Sequence, residues 1–275
     1  MAKCHFSAMC IICTVVSVVS VSILVGLWTF QFLSFADHTR SQTEPPDSRC
    51  LPECPLPVSY DVTLWPRLKP DSTGLYIFTG NSTVVFKCVK ETDLILIHAN
   101  KLNLTADATL STLNGSPAPS ITSMQTISKT QYLVFHLSEK LKAGEWYKLH
   151  TEFVGELSDD LRGFYRSEYE VNGVKQIVAT SQIRLTHTCG IFPCFGEPKT
   201  KPVFHITLLQ ERGTVTFSNA EEIEKLNTSV DGTDVTMSRF EWTGMMSSDQ
   251  LTLIITDGTN VQPTNTKRKR KFTPM

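Results

Sequence analysis

The sequence predicts an all-β domain, a saddle-like or sandwich-like assembly of sheets, preceded by one transmembrane helix. Three observations carry this expectation. Short stretches such as Tyr147 to Phe153 alternate apolar and polar residues with a period of two, which is the signature of a strand with one face buried. Gly, Asn, Asp and Pro punctuate these stretches at close intervals and read as turns. Helical candidates in the body of the chain are few and short, while the N-terminus carries one long uncharged apolar run. Many short strands joined by tight turns fit a sheet assembly better than a layered α/β domain.

At 275 residues the chain can hold one sizeable domain or two small ones. A formal net charge of −1 provides no general attraction to nucleic acid or to acidic substrates.

In chain order, residues 1–7 read as a cytoplasmic tail and 8–35 as a transmembrane signal-anchor. Between Cys4 and Ala36 the only side chain that can carry charge is His5. The apolar run exceeds the roughly 20 residues that cross a hydrocarbon core. It is also longer than the h-region of about 7–15 residues in a cleaved signal peptide. Trp28, Phe30, Phe32 and Phe35 sit at its far end, where bulky aromatics favour the membrane interface. Lys3 marks the short side as cytoplasmic, partly offset by Arg40 on the other side. Residues 36–54, with Pro45-Pro46 among Ser, Thr and Asp, form a polar stalk that cannot build a core.

Strands follow within a β domain spanning 55–258. Tyr60 to Leu64 alternates, and Leu75 to Phe78 and Val84 to Phe86 come next across short turns. Leu94 to Ile97 is a continuous apolar run, read as a strand buried on both faces. Tyr132 to Leu137 is a further candidate. The clearest alternation puts Tyr147, Leu149, Thr151 and Phe153 on one face and Lys148, His150 and Glu152 on the other. Phe204, Ile206 and Leu208 repeat it, Ala220 to Leu226 reads as a short helix, and Leu251 to Ile255 closes the series. Residues 259–275 form a solvated tail with five consecutive basic residues from Lys267 to Lys271. Outside a membrane such a run has no use as a nuclear or nucleic-acid signal.

Four sequons, at Asn81, Asn103, Asn114 and Asn227, suit a chain whose bulk lies outside the cytoplasm. The implied location is the plasma membrane or the secretory pathway, in single-pass type II orientation. Of eight cysteines, Cys50, Cys54, Cys88, Cys189 and Cys194 face an oxidising space in that topology. Cys50 and Cys54 are near enough in sequence to close a small loop by a disulfide, or they remain two thiols; no partners for a zinc knuckle or redox motif accompany them.

The residues around Val178 say more. Gly155-Glu156-Leu157, then Gly163-Phe164-Tyr165-Arg166-Ser167-Glu168-Tyr169, Val178-Ala179-Thr180-Ser181-Gln182 and Phe192-Pro193-Cys194-Phe195-Gly196-Glu197-Pro198 occur in order. Ser59 to Leu64, Gly80 to Val84 and Ile97 to Leu102 extend the pattern upstream, and Met246 to Asp257 extends it downstream. Together they resemble the N-terminal domain of the aminopeptidase N family of membrane-bound zinc exopeptidases, from Pro55 to Asp257.

That resemblance implies a β-rich saddle that packs over a separate zinc domain. Catalysis in the family needs H-E-x-x-H with a downstream glutamate, together with a G-A-M-E-N loop. Neither occurs here, and none of His5, His38, His98, His136, His150, His187 and His205 is followed by glutamate. The expectation is therefore no catalytic residue, no metal and no cofactor in this chain, the family's zinc belonging to the domain that is missing.

The family's N-terminal domain lends the substrate pocket a Q-x-Q or Q-x-E tripeptide, whose second polar residue accepts hydrogen bonds from the substrate ammonium. Here the tripeptide is Gln182-Ile183-Arg184. Arg184 adds a cation where an acceptor is needed and repels the amine. The family's T-D-A-R appears as Thr186-His187-Thr188-Cys189, and its F-D-E-P as Phe195-Gly196-Glu197-Pro198. The expected functions are a catalytically silent membrane glycoprotein or a truncated product of a zinc aminopeptidase locus. A domain shaped to pack on a catalytic partner exposes an apolar patch without it, so the membrane and self-association are the expected partners, and nucleic acid is not.

Overall fold

A computed structural model of the chain describes residues 55–127, 131–161, 163–171, 173–182, 189–195 and 200–257. The expected anchor, stalk and basic tail lie outside the described residues. Among the described residues no helix is long and apolar enough to cross a membrane.

The described chain is all β. Its strands are β1 (Leu56–Pro66), β2 (Ile77–Lys87), β3 (Thr92–His98), β4 (Leu102–Leu104), β5 (Thr109–Thr112), β6 (Ile121–Ile127), β7 (Tyr132–Leu141) and β8 (Trp146–Glu156). They continue with β9 (Gly163–Val171), β10 (Val174–Gln182), β11 (Val203–Glu211), β12 (Thr214–Phe217), β13 (Glu222–Val230), β14 (Thr233–Phe240) and β15 (Ile254–Asp257). One 3-10 turn, Ser248–Gln250, precedes the last.

The largest sheet runs β13-β14-β11-β1-β2-β8-β4, with β5 also paired to β8. All of its pairs are antiparallel except β1 with β11. A second sheet has the order β12-β15-β10-β9 and a third the order β3-β7-β6. The alternation read from the sequence sets the face of β8: Tyr147, Leu149, Thr151 and Phe153 are buried while Lys148 and His150 are only half-buried. On β2 the same period buries Ser82, Val84 and Phe86 and turns Asn81 and Thr83 outward.

The three sheets share one core. Tyr60, Phe86 and Phe153 from the large sheet meet Ile95 and Phe135 from the third and Phe164, Ala179 and Ile255 from the second. Burial of each such aromatic or aliphatic side chain stabilises the fold by about 1.5–3 kcal/mol before the entropy of ordering is subtracted. Gly155 explains part of its own motif here. It lies opposite Phe78 across β2 and β8. A Cβ at Gly155 would stand 2.8 Å from Leu102 Cδ2 and closer still to the Phe78 ring.

Three expectations are corrected. Leu75 to Phe78 and Val84 to Phe86 are not separate strands across a turn: Ile77–Lys87 is one strand, in which Gly80 and Asn81 stay in register with β1 and β8 because flanking pairing on both sides overrides their turn preference. Ala220 to Leu226 is not helical: Glu222–Val230 is a strand. Its residues favour helices weakly, but Asp231 and Gly232, both at positive φ, close a tight hairpin. The dipeptide Asp-Gly is a strong hairpin signal, and pairing along β14 overrides local propensity. Leu94 to Ile97 is not buried on both faces, since Ile95 and Ile97 are buried and Leu94 and Leu96 only partly so. The interior of the third sheet is β7, where Tyr132 to Phe135 are all buried.

Candidate functional site

The β9-β10 hairpin carries the central motif to one rim of the fold. Val178 to Gln182 lie on β10, and Gln182, its last residue, is opposite Gly163 on β9. Arg184 lies outside the described residues, as do Cys50 and Cys54. The described chain resumes at Cys189, which forms a disulfide with Cys194 across a Cα–Cα distance of 5.3 Å.

The disulfide loop is held from two sides. His98 and Cys194 exchange backbone hydrogen bonds of 2.8 and 3.0 Å, and the Asn100 N–H donates to the Cys189 carbonyl at 3.2 Å. Beneath it, Ile191, Phe192 and Phe195 are buried. The Phe192 ring lies 5.5 Å from Tyr60 and the Phe195 ring 5.5 Å from Phe86. The Phe195 N–H donates to the Tyr60 hydroxyl at 3.0 Å. Burial drives the Tyr60 phenol well above its ordinary range, against a smaller lowering by that bond, so it stays protonated. The Phe-Pro-Cys-Phe motif is thus an aromatic plug that seats the rim in the core.

Backbone in the left-handed region gathers around this loop. Lys101 (φ 55°), Gln131 (φ 59°), Leu161 (φ 59°) and Cys189 (φ 72°) are four of the non-glycine residues with positive φ, and Gly163 (φ 68°) is beside them. Such conformations cost about 1–3 kcal/mol each and cluster where surrounding structure fixes a site. Lys101, Gln131 and Gly163, with Asn100, Asp160 and Gly190 among others, line a cavity of about 160 Å³. Lys101 Nζ stands 3.3 Å from Asp160 Oδ2 at its mouth. Asn100 Oδ1 is buried with no hydrogen-bond partner. Burial also lowers the pKa of His98, which leaves its imidazole neutral near pH 7.

The fold scatters the other residues singled out in the sequence. Asn81 sits mid-strand on β2 and Asn103 is exposed on β4. Asn114 is exposed in a turn, its Oδ1 accepting from the Ser116 N–H at 3.0 Å. Asn227 is exposed on β13, its Oδ1 accepting from Thr236 Oγ1 at 2.9 Å. His136 is on β7, and His150 on β8 is bonded through Nδ1 to Thr83 Oγ1 at 2.9 Å. Sequence reasoning missed the Cys189–Cys194 link. Its available signal was two cysteines five positions apart in a chain expected to fold in an oxidising space.

A family model described as the peptidase M1 N-terminal domain matches residues 56–249. The chain belongs to the M1 peptidase family. It is 42% identical over 229 residues to aminopeptidase N of Bos taurus, covering 82% of this chain and 24% of that protein. It is 43% identical over 209 residues to aminopeptidase Ey of Gallus gallus, covering 74% of this chain and 22% of that protein. Against aminopeptidase Q of Homo sapiens the identity is 31% over 244 residues, covering 82% and 24%. The chain thus spans about a quarter of the length of these relatives, and the match falls on the family's N-terminal domain. The M1 zinc belongs to a catalytic domain that these residues do not include. The chain's own side chains do not fit that ion: H-E-x-x-H is absent from the sequence, and among the described residues no three His, Cys, Asp or Glu side chains are placed to hold a metal.

Proposed function

We propose that the chain is a type II membrane glycoprotein of the plasma membrane or secretory pathway that presents an aminopeptidase N-like β domain and is catalytically silent by itself. The supporting observation is the confinement of the family match, 56–249, to the N-terminal domain. In this reading residues 8–35 anchor the chain, 36–54 form a stalk, 55–258 fold and 259–275 trail into solvent. The sequons at Asn81, Asn103, Asn114 and Asn227 are glycan acceptors, and Cys50 and Cys54 are disulfide candidates. Gln182 keeps the family's first pocket position, whereas Arg184 presents five N–H donors and no acceptor to an incoming ammonium. The chain needs no cofactor, does not engage nucleic acid, and self-associates through surface that its relatives cover with further domains.

The test is hydrolysis of a neutral aminoacyl amide by cells displaying the full chain, with and without a zinc chelator. The expected rate equals that of untransfected cells; chelator-sensitive hydrolysis above that level refutes the reading. A second reading, favoured by the quarter-length coverage of the relatives, is that the chain is one product of a locus encoding a complete zinc aminopeptidase. Full-length transcripts continuing from the codon for Asp257 into a frame with H-E-x-x-H would establish it.

A further inference from the structure

The open face of the large sheet carries a polar groove with no role in any of the above. Two transverse rows of side chains form it. In one, Thr83 of β2 pairs with Asp61 of β1, and Asp61 with His205 of β11. In the next, Asn81 pairs with Thr63, Thr63 with Thr207, and Thr207 with Arg239 of β14. The groove measures about 700 Å³, and Leu209, Val230 and Met237 give one end an apolar floor. That size lies within the roughly 300–1,000 Å³ of small-molecule sites.

Its chemistry points to a neutral polyhydroxyl ligand. The guanidinium is already paired: Arg239 Nη1 is 2.6 Å from Glu224 Oε2, so an added anion would have to compete with that carboxylate. Asp61 Oδ1, 3.4 Å from His205 Nδ1, offers a ligand hydroxyl an acceptor. Threonine hydroxyls at 63, 207 and 228, each both donor and acceptor, remain to meet ligand hydroxyls, while that of Thr83 is bonded to His150 Nδ1. His205 Nδ1 is buried and makes no hydrogen bond despite its proximity to Asp61. The apolar end suits the methyl of an N-acetyl group.

Asn81, the first residue of a sequon, is itself part of the lining. We propose that the groove is the bed of the N-glycan on Asn81, holding its proximal N-acetylglucosamine residues against the sheet. This rests on the lumenal topology proposed above. Attachment to the nascent chain precedes burial of the core, so a mid-strand asparagine is no obstacle. Tethering also makes weak contacts sufficient, because a ligand linked to its own site is held at roughly millimolar effective concentration.

The full chain is produced in mammalian cells and extracted in non-denaturing detergent, and occupancy at the four sequons is read by glycopeptide mass spectrometry. Release by a peptide N-glycosidase is then timed site by site. The expected result is a glycan on Asn81 that is released about tenfold more slowly than that on the exposed turn residue Asn114, as for a groove filled about nine-tenths of the time. The rates should become equal after denaturation, and in the variant Asp61→Ala/His205→Ala Asn81 should approach Asn114. An unmodified Asn81 beside a modified Asn114 overturns the proposal and spares the topology; four unmodified sequons overturn both. Equal native rates, or protection unchanged in the variant, also overturn it.

Discussion

Cutting the Cys189–Cys194 link tests whether the rim is covalently fixed. With a sequence separation of 5, the chain-entropy relation gives about 2 kcal/mol at 25 °C for closing so short a loop. That is a sizeable part of a total stability of about 5–15 kcal/mol. For a folded region of this size each kcal/mol moves the midpoint by about 2–4 °C, so Cys189→Ala lowers it by about 4–8 °C. The measurement is thermal unfolding of the full chain in non-denaturing detergent, followed by tryptophan fluorescence. Cys194→Ala and the double variant complete a cycle. Both single changes remove the same link, so the double variant loses little more than either alone. Losses that add to twice the single value would assign each cysteine an independent packing role and refute the covalent account. Alkylation of both thiols in the native chain without reductant would refute it more directly.

Other perturbations report on neighbouring parts of the same framework. Gly155→Ala forces a methyl into the space of the buried Phe78 ring and costs about 1–3 kcal/mol; Phe78→Leu in the same chain recovers part of the loss in a denaturation midpoint. Tyr60→Phe removes the acceptor of the buried Phe195 N–H and destabilises by about 1–3 kcal/mol in the same assay. His98 has its pKa lowered by burial, so the unfolded chain, titrating near 6.5, takes up that proton more readily than the folded one. Stability therefore holds above about pH 6.5 and falls below it until the folded state also protonates; His98→Asn flattens this slope in a pH series of melts.

The sequence was most legible where one face of a strand meets the core. Period-two alternation located β8, the core of β11 and the middle of β1, Tyr60 to Leu64, because their inward side chains are mostly apolar, Thr151 and Gln210 being the polar ones among them. It failed for β13, whose residues are almost all exposed, leaving no buried face to impose a period. It failed also for the short β4 and β5, which rely on pairing with β8 rather than on their own pattern. The family motifs pointed to the rim, but why Gly155 must be glycine, and why Phe192 and Phe195 flank a cysteine, depends on contacts from β2 and β1 far away in sequence. The cavity behind Gly163 was illegible because its lining includes positive-φ turns at Lys101 and Gln131, residue types that do not announce that conformation.

The departures from the family pattern do not all point the same way. In the proposed reading Arg184 stands at the tripeptide position where the family has an acceptor. In the sequence, Cys189 stands where the family's T-D-A-R has arginine and Gly196 where F-D-E-P has aspartate. Cys189 instead bonds to Cys194 within the Phe-Pro-Cys-Phe plug, and the plug keeps its aromatic contacts with Tyr60 and Phe86. A link of this kind forms in an oxidising compartment and persists there. Under the proposed function, the Cys189–Cys194 link ties the aromatic plug to the core, while an arginine at the tripeptide offers an incoming ammonium no acceptor. The two together favour a β domain that acts through its folded surface.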